Sequence, residues 1–185
     1  PGRARGVSAA APRHRTTFDW GRAKQQQWEV AADDWVYCLD EFSGTGTAAA
    51  LYTLRRCKQS RAILIDNGHS IEYVKQWIPR KYHHRVLYIQ RDINTLCADS
   101  IIELVRQRWP DAAWDKFVHI HASPSCRSHS RADRGLSKHR GSAGQPLTEL
   151  AKSDDKSCEH AIGIMLDIRR IAKNALFTIE NPESR

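Results

Sequence analysis

The stretch Trp35-Val-Tyr-Cys-Leu-Asp-Glu-Phe-Ser-Gly-Thr-Gly46 decides the fold of this 185-residue chain. Its first five residues are apolar and Asp40 ends the run, which is typical of a short buried strand, and Gly44 and Gly46 follow closely. Ala50, Leu51 and Leu54 then share one face of a helix. Because glycine lets the backbone turn sharply and approach a ligand, this strand-turn-helix unit predicts a binding loop at a helix amino terminus. The alternative is a tight turn that holds no ligand.

Strands and helices alternate along the rest of the chain. Apolar runs predict further strands at residues 62–66, 85–89, 116–121 and 176–180. Helical spacing predicts helices at residues 71–77 and 97–109, and a third that leads to the last strand. That third helix has an inward face of Ala161, Ile164, Met165, Ile168 and Ala172. The alternation predicts a doubly wound, Rossmann-like α/β fold with a mainly parallel sheet and with ligand sites at the carboxyl ends of its strands. Residues 123–157 form a polar, basic stretch that is too long for an ordinary connection, so we expect it to be functional or mobile.

Composition limits the classes of partner. The chain has 29 Lys and Arg against 21 Asp and Glu, a formal net charge of +8, which favours a polyanionic partner. Five cysteines without C-x-x-C spacing argue against a disulfide framework and a zinc ribbon, and so favour the cell interior. The chain lacks the run of about 20 apolar residues that a membrane helix needs. We expect residues 1–17 to be a disordered basic tail and residues 18–185 to form one domain.

Two aspartates are expected to stand at strand ends beside the glycine loop. Asp66 closes the second strand about 20 residues beyond the glycines, where a carboxylate accepts the hydroxyl hydrogens of a ribose. Asp92 follows the third strand and is placed to accept from an adenine amine. Either residue alone would more often cap a helix or form a turn. Together with the loop they predict a nucleoside pocket without a triphosphate.

Nucleophilic and basic side chains follow the fourth strand. Cys126 is expected at the carboxyl edge of the sheet, where nearby positive charge would activate its thiol. The alternative is a zinc site formed by four ligands: His119, His121, Cys126 and His129. Glu180 ends the fifth strand on the same edge. The loop after Cys126 carries five basic side chains that would bind phosphates: Arg127, Arg131, Arg134, Lys138 and Arg140.

In combination, these residues resemble the catalytic domain of the DNA cytosine-5 methyltransferases, including small phage-type relatives. Residues 40–46 resemble the D-x-F-x-G-x-G cofactor loop of that family, and Asp66 and Asp92 match its strand-end acids. Residues 123–130 are similar to the S-P-P-C-x-x-F-S segment around the nucleophile, and Ile179-Glu-Asn-Pro182 is similar to the E-N motif. The chain stops at Arg185, before the target-recognition region and closing strands of that family. We therefore expect a piece of a longer protein, whose remaining part would be a partner, or a degenerate copy.

The resemblance implies a role for each matched position. Six residues would hold S-adenosylmethionine: Phe42, Gly44, Gly46, Asp66, Asp92 and Pro124. Cys126 would attack carbon 6 of a flipped-out cytosine in DNA, and Glu180 would hydrogen-bond the pyrimidine ring. Two other functions remain open. One is methylation of an exocyclic amine of DNA, or of RNA, without a covalent step; the other is an inactive domain that binds nucleic acid.

Overall fold

The computed structural model describes residues 34–43, 49–124, 139–141 and 145–180, and within them it contains a five-stranded sheet. The strands are β1 (Val36–Glu41), β2 (Ser60–Asp66), β3 (Val86–Gln90), β4 (Phe117–Ala122) and β5 (Leu176–Ile179). Their order is β3-β2-β1-β4-β5, and every neighbouring pair is parallel. Successive strands are thus added on one side of β1 as far as β3 and on its other side from β4 onward. In such folds ligands bind at the carboxyl ends of the strands, at the point where this order switches.

Helices cover both faces of the sheet. Helices α1 (Ala49–Arg56) and α2 (Ile71–Trp77) enclose one apolar core with β2. Helices α3 (Ala98–Arg108) and α4 (Glu149–Arg169) enclose the larger core on the other face. Short 3₁₀ turns at Arg80–Arg85, Ile93–Thr95 and Trp114–Lys116 lie next to the strands. The predicted doubly wound, Rossmann-like α/β fold is confirmed.

The buried strands coincide with the continuous apolar runs of the sequence. The side chains of Leu39, Ile63, Leu64 and Ile120 are fully buried, as expected for strands that are covered on both faces. Alternation along β1 sends Tyr37 and Leu39 into the α3–α4 core, while Cys38 and Asp40 face α1. The strand bounds differ from the predicted ones by one or two residues.

Helix α4 begins much earlier than the sequence pattern predicted. The expectation of a polar connection as far as residue 157 is wrong, because residues 149–157 form the first turns of α4. Thr148 caps the helix, since its hydroxyl accepts a hydrogen bond from the backbone N–H of Ala151. The predicted inward face is confirmed, because all five of its residues are buried, although Ala172 follows the helix end.

The predicted basic tail, residues 1–17, lies outside the described residues, as does the start of the predicted domain up to residue 33. Within the described part, none of the helices has the length and apolar character needed to cross a membrane.

Candidate functional site

A cleft of about 190 Å³ lies at the carboxyl ends of β1, β2 and β3. It brings together Phe42, Asp66 and Asp92, three of the residues that sequence reasoning assigned to a nucleoside pocket. The volume is below the roughly 300–1,000 Å³ of pockets that enclose a whole drug-sized ligand, so it matches part of a ligand. The other lining residues come from strand ends and α4: Ile65, Asn67, Arg91, Ile93, Asn94, Ser153, Asp154 and Ser157.

Local hydrogen bonds orient the two aspartates. Asp66 Oδ1 accepts from the backbone N–H of Gly68 at 2.7 Å and lies 3.3 Å from Nδ1 of His69. Asp92 caps the 3₁₀ turn that follows it, because its Oδ1 accepts from the backbone and side-chain amides of Asn94, both at 2.9 Å. Asp92 is therefore a cap and a cleft residue at once. The chemistry of this set, carboxylates beside Phe42 and isoleucines, suits a ligand with hydroxyl or amine donors and a flat apolar face.

Phe42 reaches the cleft through a strained backbone. Its φ of 58° lies in the left-handed region, which non-glycine residues rarely adopt. The next residue, Ser43, donates its backbone N–H to the carbonyl of Ile65 at 3.0 Å and so anchors the turn to β2. Strain of this kind costs on the order of 1–3 kcal/mol and is concentrated at functional sites.

Helix α4 forms a wall of the cleft that sequence reasoning missed. Ser153, Asp154 and Ser157 line it, and Asn94 Nδ2 donates to Ser157 Oγ at 2.8 Å. A signal was present in the sequence. Alternating steps of three and four residues connect Ala151, Asp154, Cys158 and Ala161, and so continue the helical face upstream into the polar stretch.

Glu180 stands at the same carboxyl edge, beyond β5. Its backbone N–H donates to the carbonyl of Ala122 at 2.9 Å, and its Oε2 accepts from the hydroxyl of Ser123 at 3.2 Å. The pKa of Asp40 is raised to about 7, chiefly by burial. A backbone hydrogen bond from Ala50 works against this rise, and the charges of Glu180 and Asp66 add to it. Asp40, Asp66 and Glu180 thus bring three carboxyl groups to the same edge of the sheet.

A second acidic group, Glu41, is buried on the other face of β1. Its side chain is 0% exposed, and neither carboxyl oxygen has a hydrogen-bond partner in the described structure. Burial raises its pKa well above the usual range, and the neighbouring Asp40 adds to the shift. Sequence reasoning did not single out Glu41, because a carboxylate at the end of a strand is ordinarily exposed.

The two histidines of β4 share one hydroxyl. His119 Nε2 and His121 Nδ1 each lie 2.8 Å from Oγ1 of Thr178. Burial lowers the pKa of both rings, to about 4 for His119, so both are neutral at neutral pH. In the described part of the chain no group of three His, Cys, Asp or Glu side chains is placed to hold a metal ion. The other two residues of the zinc alternative, Cys126 and His129, lie outside the described residues.

Several predicted site residues cannot be placed in this site. Seven lie outside the described residues: Gly44, Gly46, Cys126, Arg127, Arg131, Arg134 and Lys138. Pro124 is buried directly after β4 and is not among the residues that line the cleft.

Arg140, predicted to contact nucleic acid, packs against α4. Both terminal guanidinium nitrogens, Nη1 and Nη2, contact the carboxylate of Asp155, with Nη1 at 3.1 Å from Oδ2. A phosphate would therefore have to compete with Asp155 for Arg140.

Comparison with known proteins adds little to this geometry. No family model and no curated protein matches the chain. Among solved structures, dTDP-glucose 4,6-dehydratase from Bacillus anthracis str. Ames, in complex with NAD, matches with a TM-score of 0.36 and 11% identity over 79% of this chain. The match spans 54% of that protein, about half of its length.

Proposed function

We propose that the chain is the catalytic part of an S-adenosylmethionine-dependent DNA methyltransferase that modifies carbon 5 of cytosine. The observation that carries the proposal is the meeting of Phe42, Asp66 and Asp92 in one cleft at the carboxyl ends of three parallel strands. These positions match the cofactor motifs by sequence, and the fold brings them together across 50 residues of chain.

The cleft suits the nucleoside part of the cofactor. Asp66 would accept the ribose hydroxyl hydrogens and Asp92 the adenine amine hydrogens, while Phe42 and Ile93 would pack on the flat ring. S-adenosylmethionine supplies an electrophilic methyl group when bound. The strained backbone of Phe42 supports the same assignment, since it holds an aromatic side chain at the cleft at a cost in stability.

The base would be activated at the neighbouring part of the same edge. The Cys126 thiolate would add to carbon 6 of the cytosine, and the electron pair of the carbon 5–carbon 6 double bond would make carbon 5 nucleophilic. Once carbon 5 carries the methyl group, loss of its proton would restore the double bond and release the Cys126 sulfur. Glu180 would hydrogen-bond the ring nitrogen and the exocyclic amine, and so stabilise the charge that develops on the ring. The contact between Ser123 and Glu180 supports this division of roles, because Ser123 precedes Cys126 by three residues.

Covalent trapping tests the proposal directly. DNA that contains 5-fluorocytosine is incubated with the protein and S-adenosylmethionine, and the adduct is measured by denaturing electrophoresis and mass spectrometry. We expect an adduct at Cys126 that is lost in Cys126→Ala. Cys97→Ala is the matched control, because Cys97 is an exposed thiol on the described surface and should leave the adduct intact. An adduct that persists in Cys126→Ala, or methyl found on the exocyclic nitrogen, would overturn the proposal.

Calorimetry tests the cofactor cleft separately. We expect Asp66→Asn to weaken S-adenosylmethionine binding by about tenfold to 150-fold, because the amide presents donor hydrogens to ribose hydroxyls and loses a charge-assisted bond worth roughly 1.5–3 kcal/mol. Asp115→Asn, on an exposed 3₁₀ turn away from the cleft, is the matched control and should bind normally. Equal affinity in both variants would remove Asp66 from the cofactor site.

A further inference from the structure

We infer that the face formed by α1, α2 and the Arg80–Arg85 turn binds single-stranded nucleic acid, by stacking unpaired bases on an aromatic row and pairing their phosphates with surrounding cations. The inference goes beyond methyl transfer, since it concerns a surface outside the cleft and would hold whatever reaction the chain performs.

The aromatic row runs along α2. His69, Tyr73 and Trp77 recur every four residues and therefore lie on one side of the helix. The rings of His69 and Tyr73 are stacked, with centroids 4.9 Å apart and planes at 14°, and Tyr73 meets Trp77 edge-on at 6.2 Å. Tyr73 is 39% exposed and Trp77 is 53% exposed. The row begins at the cleft, because Nδ1 of His69 lies 3.3 Å from Oδ1 of Asp66.

Positive charge is concentrated on the same face. Among the described residues of α1, α2 and the segments that follow them, six exposed side chains are basic and one, Glu72, is acidic. The basic ones are Arg55, Arg56, Lys58, Lys75, Arg80 and Lys81. The opposite face has no such excess, because the exposed side chains of α3, α4 and the segments that follow them include seven Lys or Arg and seven Asp or Glu. The excess of positive charge thus lies on the side that carries the aromatic row.

The aromatic row and the positive charge together indicate which class of ligand this face would bind. Exposed aromatic rings in a basic surface are the arrangement with which proteins hold unpaired nucleotides, because every base has a π-face and every nucleotide a phosphate. A duplex would present phosphates but no exposed base faces to Tyr73 and Trp77. A membrane surface is a poorer fit, since α2 has only seven residues and exposes only two large apolar side chains, Tyr73 and Trp77, which is little apolar area to insert.

Fluorescence anisotropy with labelled thymidine and uridine homopolymers, in the absence of S-adenosylmethionine, tests the inference. We expect Tyr73→Ala/Trp77→Ala to weaken binding tenfold or more, given about 1–3 kcal/mol per stacked base, whereas Tyr73→Phe/Trp77→Phe retains most of it. Leu166→Ala/Ile171→Ala removes two comparably exposed apolar side chains elsewhere on the surface and should leave binding unchanged. Circular dichroism confirms that each variant is folded.

The salt dependence of binding tests whether the basic side chains contact phosphates. Lys75→Gln/Lys81→Gln should reduce the slope of log K against log salt by about 1.4, as expected for two lost phosphate contacts on a single strand. Lys152→Gln/Lys156→Gln on α4 is the matched pair and should leave the slope unchanged. Binding by the Tyr73→Ala/Trp77→Ala variant within twofold of wild type, or an equal loss in the Leu166→Ala/Ile171→Ala variant, would overturn the inference. A homopolymer without cytosine keeps this result separate from the test of methylation.

Discussion

At the scale of single residues, Glu41 is the least expected feature of the fold. Its carboxyl group is fully buried without a described hydrogen-bond partner, and burial raises its pKa well above the usual range. In the unfolded chain the same group has a pKa of about 4.5, so the free energy of unfolding falls as pH rises above that value. The folded protein keeps a protonated glutamic acid in its interior and loses stability by doing so.

Replacing Glu41 by Gln removes this pH-dependent loss. We expect Glu41→Gln to raise the free energy of unfolding by about 1–3 kcal/mol at pH 8, because the amide is neutral without binding a proton that the unfolded chain releases, and to have little effect at pH 4. Urea denaturation at both pH values measures the difference. Glu103→Gln, an exposed position on α3, is the control and should change neither value. A gain of the same size at pH 4 and pH 8 would contradict this account of Glu41.

Thr178 is a second residue whose role is local and measurable. A hydroxyl has one proton and two lone pairs, so Oγ1 accepts from one imidazole and donates to the other when both rings are neutral. We expect Thr178→Val to lower the free energy of unfolding by about 1–3 kcal/mol, since it leaves two buried ring nitrogens without a partner. Thr178→Ser keeps the hydroxyl and should lose far less in the same urea titration. A larger loss in Thr178→Ser than in Thr178→Val would mean that the methyl group, and not the hydroxyl, stabilises β5.

At the scale of elements, strands were easier to predict than the first half of α4. Each strand is a short apolar run between turn signals, and that local pattern determines it. The first turns of α4 carry polar residues because they face a cleft and solvent instead of the core, so their composition is typical of a loop. Asn94 and Ser157 form a hydrogen bond although they are 63 positions apart in the sequence, and a local hydrophobic pattern cannot predict such a contact. Asp66 and Asp92 could be predicted because the ends of parallel strands necessarily meet at one edge.

The edge of the sheet opposite the cleft is held by Arg61, at the start of β2. Its guanidinium donates to the Tyr37 hydroxyl at 2.9 Å and to Asp111 at 3.1 Å. It also stacks over Trp35 at 4.2 Å and Trp109 at 5.0 Å. One side chain thus connects the starts of β1 and β2 with the end of α3.

Lysine cannot reproduce these contacts, because its ammonium is compact and lacks a planar fork. We expect Arg61→Lys to lower the free energy of unfolding by about 1–2 kcal/mol. The exposed Arg108→Lys on α3 is the control and should be neutral within about 0.5 kcal/mol in the same denaturation experiment. Affinity for S-adenosylmethionine should stay unchanged in both variants, since the two edges of the sheet are separate. A loss of affinity in Arg61→Lys without a loss of stability would contradict the structural role.

At the scale of the whole molecule, four buried groups on two neighbouring strands set the pH dependence of stability. Asp40 and Glu41 on β1 keep their protons in the folded state above the pH at which the unfolded chain releases them. His119 and His121 on β4 remain neutral below the pH at which the unfolded chain takes protons up. Rising pH therefore lowers stability through the acids and raises it through the histidines, and the windows overlap between about pH 4 and pH 6.5.

Replacing one of the two acids or one of the two histidines should shift the balance between these opposing contributions. The pKa of Asp40 is 3.8 in the unfolded state and about 7 when folded, so Asp40→Asn removes one negative contribution. Relative to wild type, the slope of the free energy of unfolding against pH should become more positive by about 1.4 kcal/mol per unit, the value for one proton. His119→Gln removes a positive contribution, because its folded pKa is about 4 against 6.5, and should change the slope by the same amount in the opposite direction. Urea titrations of wild type and both variants from pH 4.5 to 6.5 measure the slopes, and changes of the same sign in the two variants would show that the acids of β1 and the histidines of β4 do not oppose each other.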